Sequence, residues 1–307
     1  CVNQGFSMPE LTFSKGSTVG NTTLLFQDVG QSPAEQARLA GLALDSAMLG
    51  GEQAGFVNLS QGKLRMAGGE FCVNASRAVG ALLAYTARSA NPDQAPLEGL
   101  APGAASAAGC GSDQAERIDD IEVSGWHSPV RLRTRGSAPL WQVEALLRLP
   151  SCSITAVGQG AHLVRLPGIC HLLLGGPVHH LPEDCYAAAA QMRERHNLEA
   201  EPAAGVIWWR EQQGQLEMLP LVHVRDAGTT FIENACGSGA LALALCLSRT
   251  GTRRMFSIMQ PGGSALDVRL FAENGADMAG VDGPVALVAR GKVWLPEPDA
   301  LTRPLQA

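Results

Sequence analysis

Two stretches of the chain are apolar on nearly every helical face: Ala78–Tyr85, which reads Ala-Val-Gly-Ala-Leu-Leu-Ala-Tyr, and 240–247, which reads Ala-Leu-Ala-Leu-Ala-Leu-Cys-Leu. A helix that lies on a surface keeps a polar face, so a helix without one has to be enclosed. Both stretches fall well short of the roughly 18–20 apolar residues that crossing a membrane takes. The enclosing layer is therefore protein. Strand-like segments precede each stretch in similar order, which predicts an α+β fold of two pseudo-symmetric units, each a sheet wrapped around one apolar helix.

Local signals fill in these units. Residues 10–30 alternate as two strands about a polar turn from Gly16 to Asn21,. A helix starts at Ser32, with Pro33 at its first position and Glu35 completing a capping box, and its apolar pattern runs to Leu49,. Short strands follow at Gly55–Leu59 and Lys63–Met66. Residues 91–119 are rich in Ala, Gly, Pro and Ser without periodicity and read as a long loop,. Strands return at 121–123, 130–135 and 141–147, and then the order starts again with a helix near Pro182–His196, strands near Gly205–Trp209 and Gln215–Val224, and the second apolar stretch,. The expected division is between residues 1–138 and 139–282, and a last strand within 283–307 closes a sheet in a half that periodicity does not decide,.

Composition narrows the classes of function. With 307 residues, 46% of them apolar, and a formal charge of −6, the chain can bury a large core but has no basic surface for nucleic acid,. A small molecule is the expected partner. No basic-then-apolar leader opens the sequence, and Met8-Pro-Glu-Leu reads as a start, so a cytoplasmic protein is expected, with residues 1–7 as an extension,. The eight cysteines have no C-x-x-C spacing, which fits a reducing compartment,. Cys170-His171, His179-His180 and Cys185 are too irregularly spaced for a zinc site, so no metal is expected.

Each apolar stretch follows a cysteine. Glu70-Phe-Cys72-Val73-Asn74-Ala-Ser-Arg leads into the first, and Glu233-Asn234-Ala-Cys236-Gly237-Ser238-Gly leads into the second. A thiol at a helix mouth faces unpaired N–H groups and the positive end of the helix dipole, which eases loss of its proton. Alone, such a cysteine is more often a small buried residue than a catalyst. Two of them on two similar units suggest a base and an acid on opposite faces of a substrate, as inversion of an amino-acid α-carbon requires. Pyridoxal phosphate, the usual aid to such chemistry, needs a lysine. Lys15, Lys63 and Lys292 are the three present, and none sits in a cofactor motif, so no cofactor is expected.

Phe13-Ser-Lys with Gly20-Asn21, Cys72-x-Asn74-Ala, Ala235-Cys236-Gly-Ser-Gly and Pro261-Gly-Gly263, in this order, resemble the pyridoxal-independent diaminopimelate epimerase superfamily from about Leu11 to Leu295. The resemblance implies an active site in the cleft between two units, with the last strand returning to the first unit. It also implies that Cys72 and Cys236 are the catalytic pair, and that Asn21, Gln53, Asn74, Gly237 and Ser238 hold the substrate. Three departures stand out. The Glu-Arg pair that grips the far end of diaminopimelate is Ala227-Gly228 here, Ile169-Cys170-His171 replaces Asn-Pro-His, and Val73 replaces the glycine after the first cysteine. The Val73 N–H can still point at a carboxylate, but a left-handed valine would be strained.

Glu52-Gln53-Ala-Gly-Phe, Glu70-Phe-Cys72-x-Asn74, Glu233-Asn234-x-Cys236 and Gln260-Pro-Gly-Gly-Ser264 are more similar to the histidine racemase branch, which supplies D-histidine to staphylopine-type opine metallophores without cofactor or metal. In that reading Glu52 accepts an imidazole N–H, and Glu233 binds the substrate ammonium or fixes the loop before Cys236. A homodimer fits this fold. The alternatives are a diaminopimelate epimerase, a racemase of another polar amino acid, and, in another class, an inactive amino-acid-binding protein.

Overall fold

A computed structural model describes residues 10–90, 116–158, 160–175 and 181–295. Most of the expected loop, together with Cys1, Cys110, His179, His180 and the end of the expected returning strand, lies outside the described residues. The first part contains β1 (Glu10–Thr18), β2 (Asn21–Gln27), α1 (Pro33–Leu44), β3 (Gln53–Asn58), β4 (Lys63–Met66), α2 (Val73–Ala90), β5 (Arg117–Val123), β6 (Val130–Ser137) and β7 (Leu140–Arg148). The second contains β8 (Ser153–Gly158), β9 (Ala161–Leu166), β10 (Ile169–Gly175), α3 (Cys185–Arg195), β11 (Ala203–Gln212), β12 (Gln215–Val224), β13 (Thr229–Ile232), α4 (Gly237–Ser248), β14 (Met255–Met259), β15 (Ala265–Glu273) and β16 (Ala276–Asp282). β17 (Pro284–Trp294) completes the chain order.

Strands β1 to β7 pair in sequence, and β17 lies between β1 and β7, so these strands close into a β-barrel. Helix α2 packs against β1, β2, β3, β5, β6, β7 and β17, and every residue from Phe71 to Leu82 is buried. The alternation in β6 shows why: Val130, Leu132 and Thr134 are buried, while Arg131, Arg133 and Arg135 lie toward the outside,. Arg77 is the one charge carried into this core by α2. Its guanidinium donates to Val143 O at 2.9 Å and Pro284 O at 3.3 Å, tying the helix to the seam of β7 and β17. Helix α1 covers the outer face of the barrel, where Leu39, Ala40 and Ala43 meet Leu24, Phe26 and Phe56.

The second sheet runs β9, β10, β11, β12, β14, β15, β16, and its pairing types repeat those of the first. Parallel pairs at β2–β3 and β4–β5 have counterparts at β10–β11 and β12–β14. Helix α4, buried from Gly237 to Ala244, packs against β9, β10, β14, β15 and β16. The two sheets share a strand. β7 pairs with β17 at Leu140–Gln142 and with β16 at Ala145–Arg148. β7 also pairs with β6, from Arg131↔Leu146 to Ser137↔Leu140, so it belongs to the barrel as well as to the second sheet.

Two local expectations shift. The first turn tightens to Val19 and Gly20, at φ 54° and 84°, because a two-residue turn with both residues left-handed matches the twist of the hairpin,. Helix α1 ends at Leu44, and the apolar residues up to Leu49 follow in a turn. Asp45 stops the helix: its side chain accepts the Ala47 N–H at 2.7 Å, competing with the helical ladder,. Val73 is not strained. It is the first residue of α2 and is absent from the left-handed residues.

Candidate active site

Cys72 and Cys236 both stand where a helix begins. The Cys72 carbonyl accepts the Ser76 N–H at 3.1 Å, and its Sγ accepts the Ala75 N–H at 3.3 Å. The thiol donates to Gln53 Oε1 at 3.0 Å. At Cys236, the N-cap of α4, the carbonyl accepts the Ala240 N–H at 2.9 Å and the Cys236 N–H donates to Gln260 Oε1 at 3.0 Å. The helix mouths meet. Asn74 Nδ2 donates to Ala235 O at 2.7 Å, and a Cβ built on Gly237 would lie 2.7 Å from the Val73 Cβ. Of the two residues that follow the cysteines, only one can carry a side chain at this distance.

One cavity of about 30 Å³ is lined by both cysteines together with Glu52, Gln53, Glu70, Val73, Asn74, Glu233, Gly237 and Ser238. That volume holds about one water molecule. Asn21 and Asn234 stand behind the lining. Glu52 Oε2 accepts Asn21 Nδ2 and the Asn234 N–H, both at 2.9 Å, while its Oε1 accepts Asn234 Nδ2 at 2.7 Å. Glu52 thus joins the first sheet to the loop before Cys236. Gln53 Nε2 donates to Asn21 Oδ1 at 2.6 Å and Thr23 Oγ1 at 2.8 Å, which fixes the amide oxygen that faces the Cys72 thiol.

Three residues of the site were not assigned from the sequence. Glu70 lines the cavity, Gln260 holds the Cys236 N–H, and buried His171 pairs through Nε2 with Ser238 Oγ at 3.0 Å. Ser238 Oγ lies 3.6 Å from the Cys236 Sγ, so the imidazole orients the hydroxyl nearest that thiol. Gly205 makes room for the ring, since a Cβ there would come 2.3 Å from His171 Nδ1. The carboxylates carried a readable signal: an acid stands shortly before each cysteine. Cys170, by contrast, belongs to an apolar cluster with Leu163, Leu172 and Leu198. Among the described residues no group of three or more His, Cys, Asp or Glu is arranged to hold a metal. The lysines are engaged elsewhere, with Leu49 O, Glu122 and Glu10.

Burial reverses the electrostatics expected from the helix mouths. Desolvation, and then the nearby Glu233 charge, push both thiols above the ordinary value, against the smaller opposing effect of the Ala75 and Gly239 N–H groups,. Both cysteines are thiols in this closed form. Desolvation also raises Glu70 to about 7, Glu233 to about 8, and Glu52 above its usual range. It lowers His171 to about 3, so the imidazole is neutral.

A pH dependence follows. Glu70 and Glu233 keep protons in the folded chain that the unfolded chain releases near 4.5. The folded state binds more protons between that value and about 8, so this contribution to stability is complete below 4.5 and is lost as pH rises through 7 to 8,. Thermal melts of the substrate-free protein should show a smaller decline in Tm over this window for Glu233→Gln than for the unsubstituted chain. Parallel declines would contradict the assignment.

The fold has solved counterparts. A hydroxyproline epimerase from Agrobacterium vitis, with bound trans-4-OH-L-proline, superposes with a TM-score of 0.61 at 12% identity over 94% of each chain. A probable proline racemase from Agrobacterium radiobacter K84 gives 0.60 at 13% identity over 95% of each. In sequence, a histidine racemase of Fusobacterium nucleatum subsp. nucleatum is 26% identical over 290 residues, which span 93% of this chain and 97% of the relative. The chain is an isomerase of the racemase and epimerase class. The family described as "Histidine racemase CntK N-terminal domain" matches residues 10–294, and the chain belongs to that family.

Proposed function

We propose that this isomerase racemises histidine by a two-base mechanism in which Cys72 and Cys236 act on opposite faces of the α-carbon. The observation that carries the reading is that two helix-mouth cysteines line one cavity. One cysteine, as thiolate, takes the α-proton, and the other, as thiol, gives its proton to the opposite face. The roles exchange in the reverse reaction, and the two titrate as a coupled pair. The carbanion spreads its charge onto the substrate carboxylate. The N–H groups of Val73, Asn74, Gly237 and Ser238, at the two helix starts, are suited to hold that carboxylate. Glu233 receives the ammonium, whose positive charge offsets the burial that keeps the thiols protonated.

A cavity of about 30 Å³ is too small for an amino acid, so the cleft opens for entry and closes on the substrate,. Opening separates Glu52 from Asn234 and the two helix mouths from one another. In this reading the units flanking β7 are pseudo-symmetric halves, and no cofactor or metal takes part. The product, D-histidine, would serve an opine metallophore of staphylopine type, made in the reducing cytoplasm by a homodimer.

Incubation with L-histidine in deuterated water tests the reading directly. Loss of the α-proton signal and appearance of D-histidine are expected. Turnover of diaminopimelate but not histidine would favour the epimerase alternative, and no exchange with any amino acid would overturn racemisation.

A further inference from the structure

Three carboxylates line the cavity, and two of them already have roles. Glu52 spends both oxygens on Asn21 and Asn234, and Glu233 faces the Cys236 thiol. Glu70 is different. The residue is 6% exposed, the Glu70 and Gly68 N–H groups lie beside its carboxyl, and its buried Oε2 meets no partner in good hydrogen-bond geometry among the described residues. Arg65, the nearest cation by its electrostatic effect, forms no ion pair with it. A buried carboxyl oxygen without a partner is costly, and this one stands in a cavity that must accept a ligand.

The surroundings of Oε2 indicate which ligand group belongs there. A Cβ built on Gly68 would meet Val224 Cγ1 at 2.5 Å, Glu70 Oε2 at 2.9 Å and Ala227 N at 3.7 Å, so the oxygen lies where β12 and the turn after it approach the first barrel. Val224 and Ala227 line the cavity on this side, and Phe231 adds to its apolar lining. An apolar wall beside one strong acceptor suits a flat ring with N–H groups on its edge, and imidazole is such a ring.

We infer that Glu70 recognises the substrate side chain: its Oε2 accepts a hydrogen bond from an imidazole N–H while Val224 and Phe231 contact the ring. This rests on the histidine reading above. It assigns side-chain recognition to Glu70 and leaves Glu52 to join the two halves. Glu70 belongs to the first barrel and the ring-contacting wall to the second sheet, so a bound side chain spans the cleft and favours its closed form.

The experiment compares the unsubstituted chain and Glu70→Gln on L-histidine and on L-histidine methylated at Nδ1 or at Nε2, each followed by α-deuterium exchange. For Glu70→Gln, assayed above the value of about 7 at which the Glu70 carboxyl ionises, KM for L-histidine should rise roughly tenfold or more, as expected when a charge-assisted hydrogen bond becomes a neutral one, with kcat changed less than about threefold. One methyl isomer should be a poor substrate of the unsubstituted chain and suffer little further loss in Glu70→Gln, because the same contact is already gone. An unchanged KM in the variant overturns the proposal. So does equal turnover of histidine and both methyl isomers by the unsubstituted chain, a result that stands even if the variant fails to fold. Absence of any turnover of L-histidine by the unsubstituted chain overturns the histidine reading instead.

Discussion

Replacing either Cys72 or Cys236 by alanine should lower the racemisation of L-histidine by roughly a thousandfold or more, within the usual worth of a positioned acid or base. The two losses should not be equivalent in detail. With one thiol gone, the other can still exchange the α-proton on its own face, so each variant should wash deuterium into only one enantiomer, with retention of configuration. The pair of variants thereby assigns a face to each cysteine. Both substitutions remove a single small buried group, and thermal melts should confirm that the fold survives. Full racemisation by either single variant would rule out a two-base mechanism.

Gly237→Ala should be nearly as damaging, although it alters no acid, base or charge. Its new Cβ would meet Val73 Cβ at 2.7 Å, Val73 Cγ1 at 2.9 Å and Asn74 Oδ1 at 3.0 Å, distances that force the two helix mouths apart. Overpacking of this kind costs about 1–3 kcal/mol of stability. The larger effect is on geometry, because a displacement of about 1 Å at reacting groups lowers turnover by about a hundredfold. Adding Val73→Gly removes the side chain in conflict, so the double variant should recover most of the activity measured as kcat/KM. Normal activity in Gly237→Ala alone would show that the cysteines tolerate a wider separation.

The helices behind the cysteines were legible because uniform apolarity leaves a helix no place but an interior. The Ser32 cap was legible because its chemistry is local, and Ser32 Oγ does accept the Glu35 N–H, at 3.3 Å. Hairpin β9–β10 and strands β14 to β16 were not read. In β10 the residues from Ile169 to Leu173 are all buried, so no alternation marks the strand. The place of β17 between β1 and β7 is a long-range pairing that no local pattern encodes, and only the family resemblance anticipated its return.

At the site, position along the chain brought out the cysteines and their neighbours, but not which acceptors are already satisfied. Glu52 was read as an imidazole acceptor from its place in a motif, and no local pattern announced that its oxygens accept from two asparagines distant in sequence. The thiol electrostatics also depended on burial that a helix-mouth argument leaves out. His171 was noted as a departure from the family segment but given no role, because its partner, Ser238, lies in another element altogether.

The position of β17 bears on how the chain is made. Synthesis delivers β1 first and β7 midway, but the strand that joins their edges comes after every other strand. Until then the nascent barrel has two open edges, each able to template pairing with another chain. Closure of the barrel around α2 thus waits on translation of everything that lies between β7 and β17.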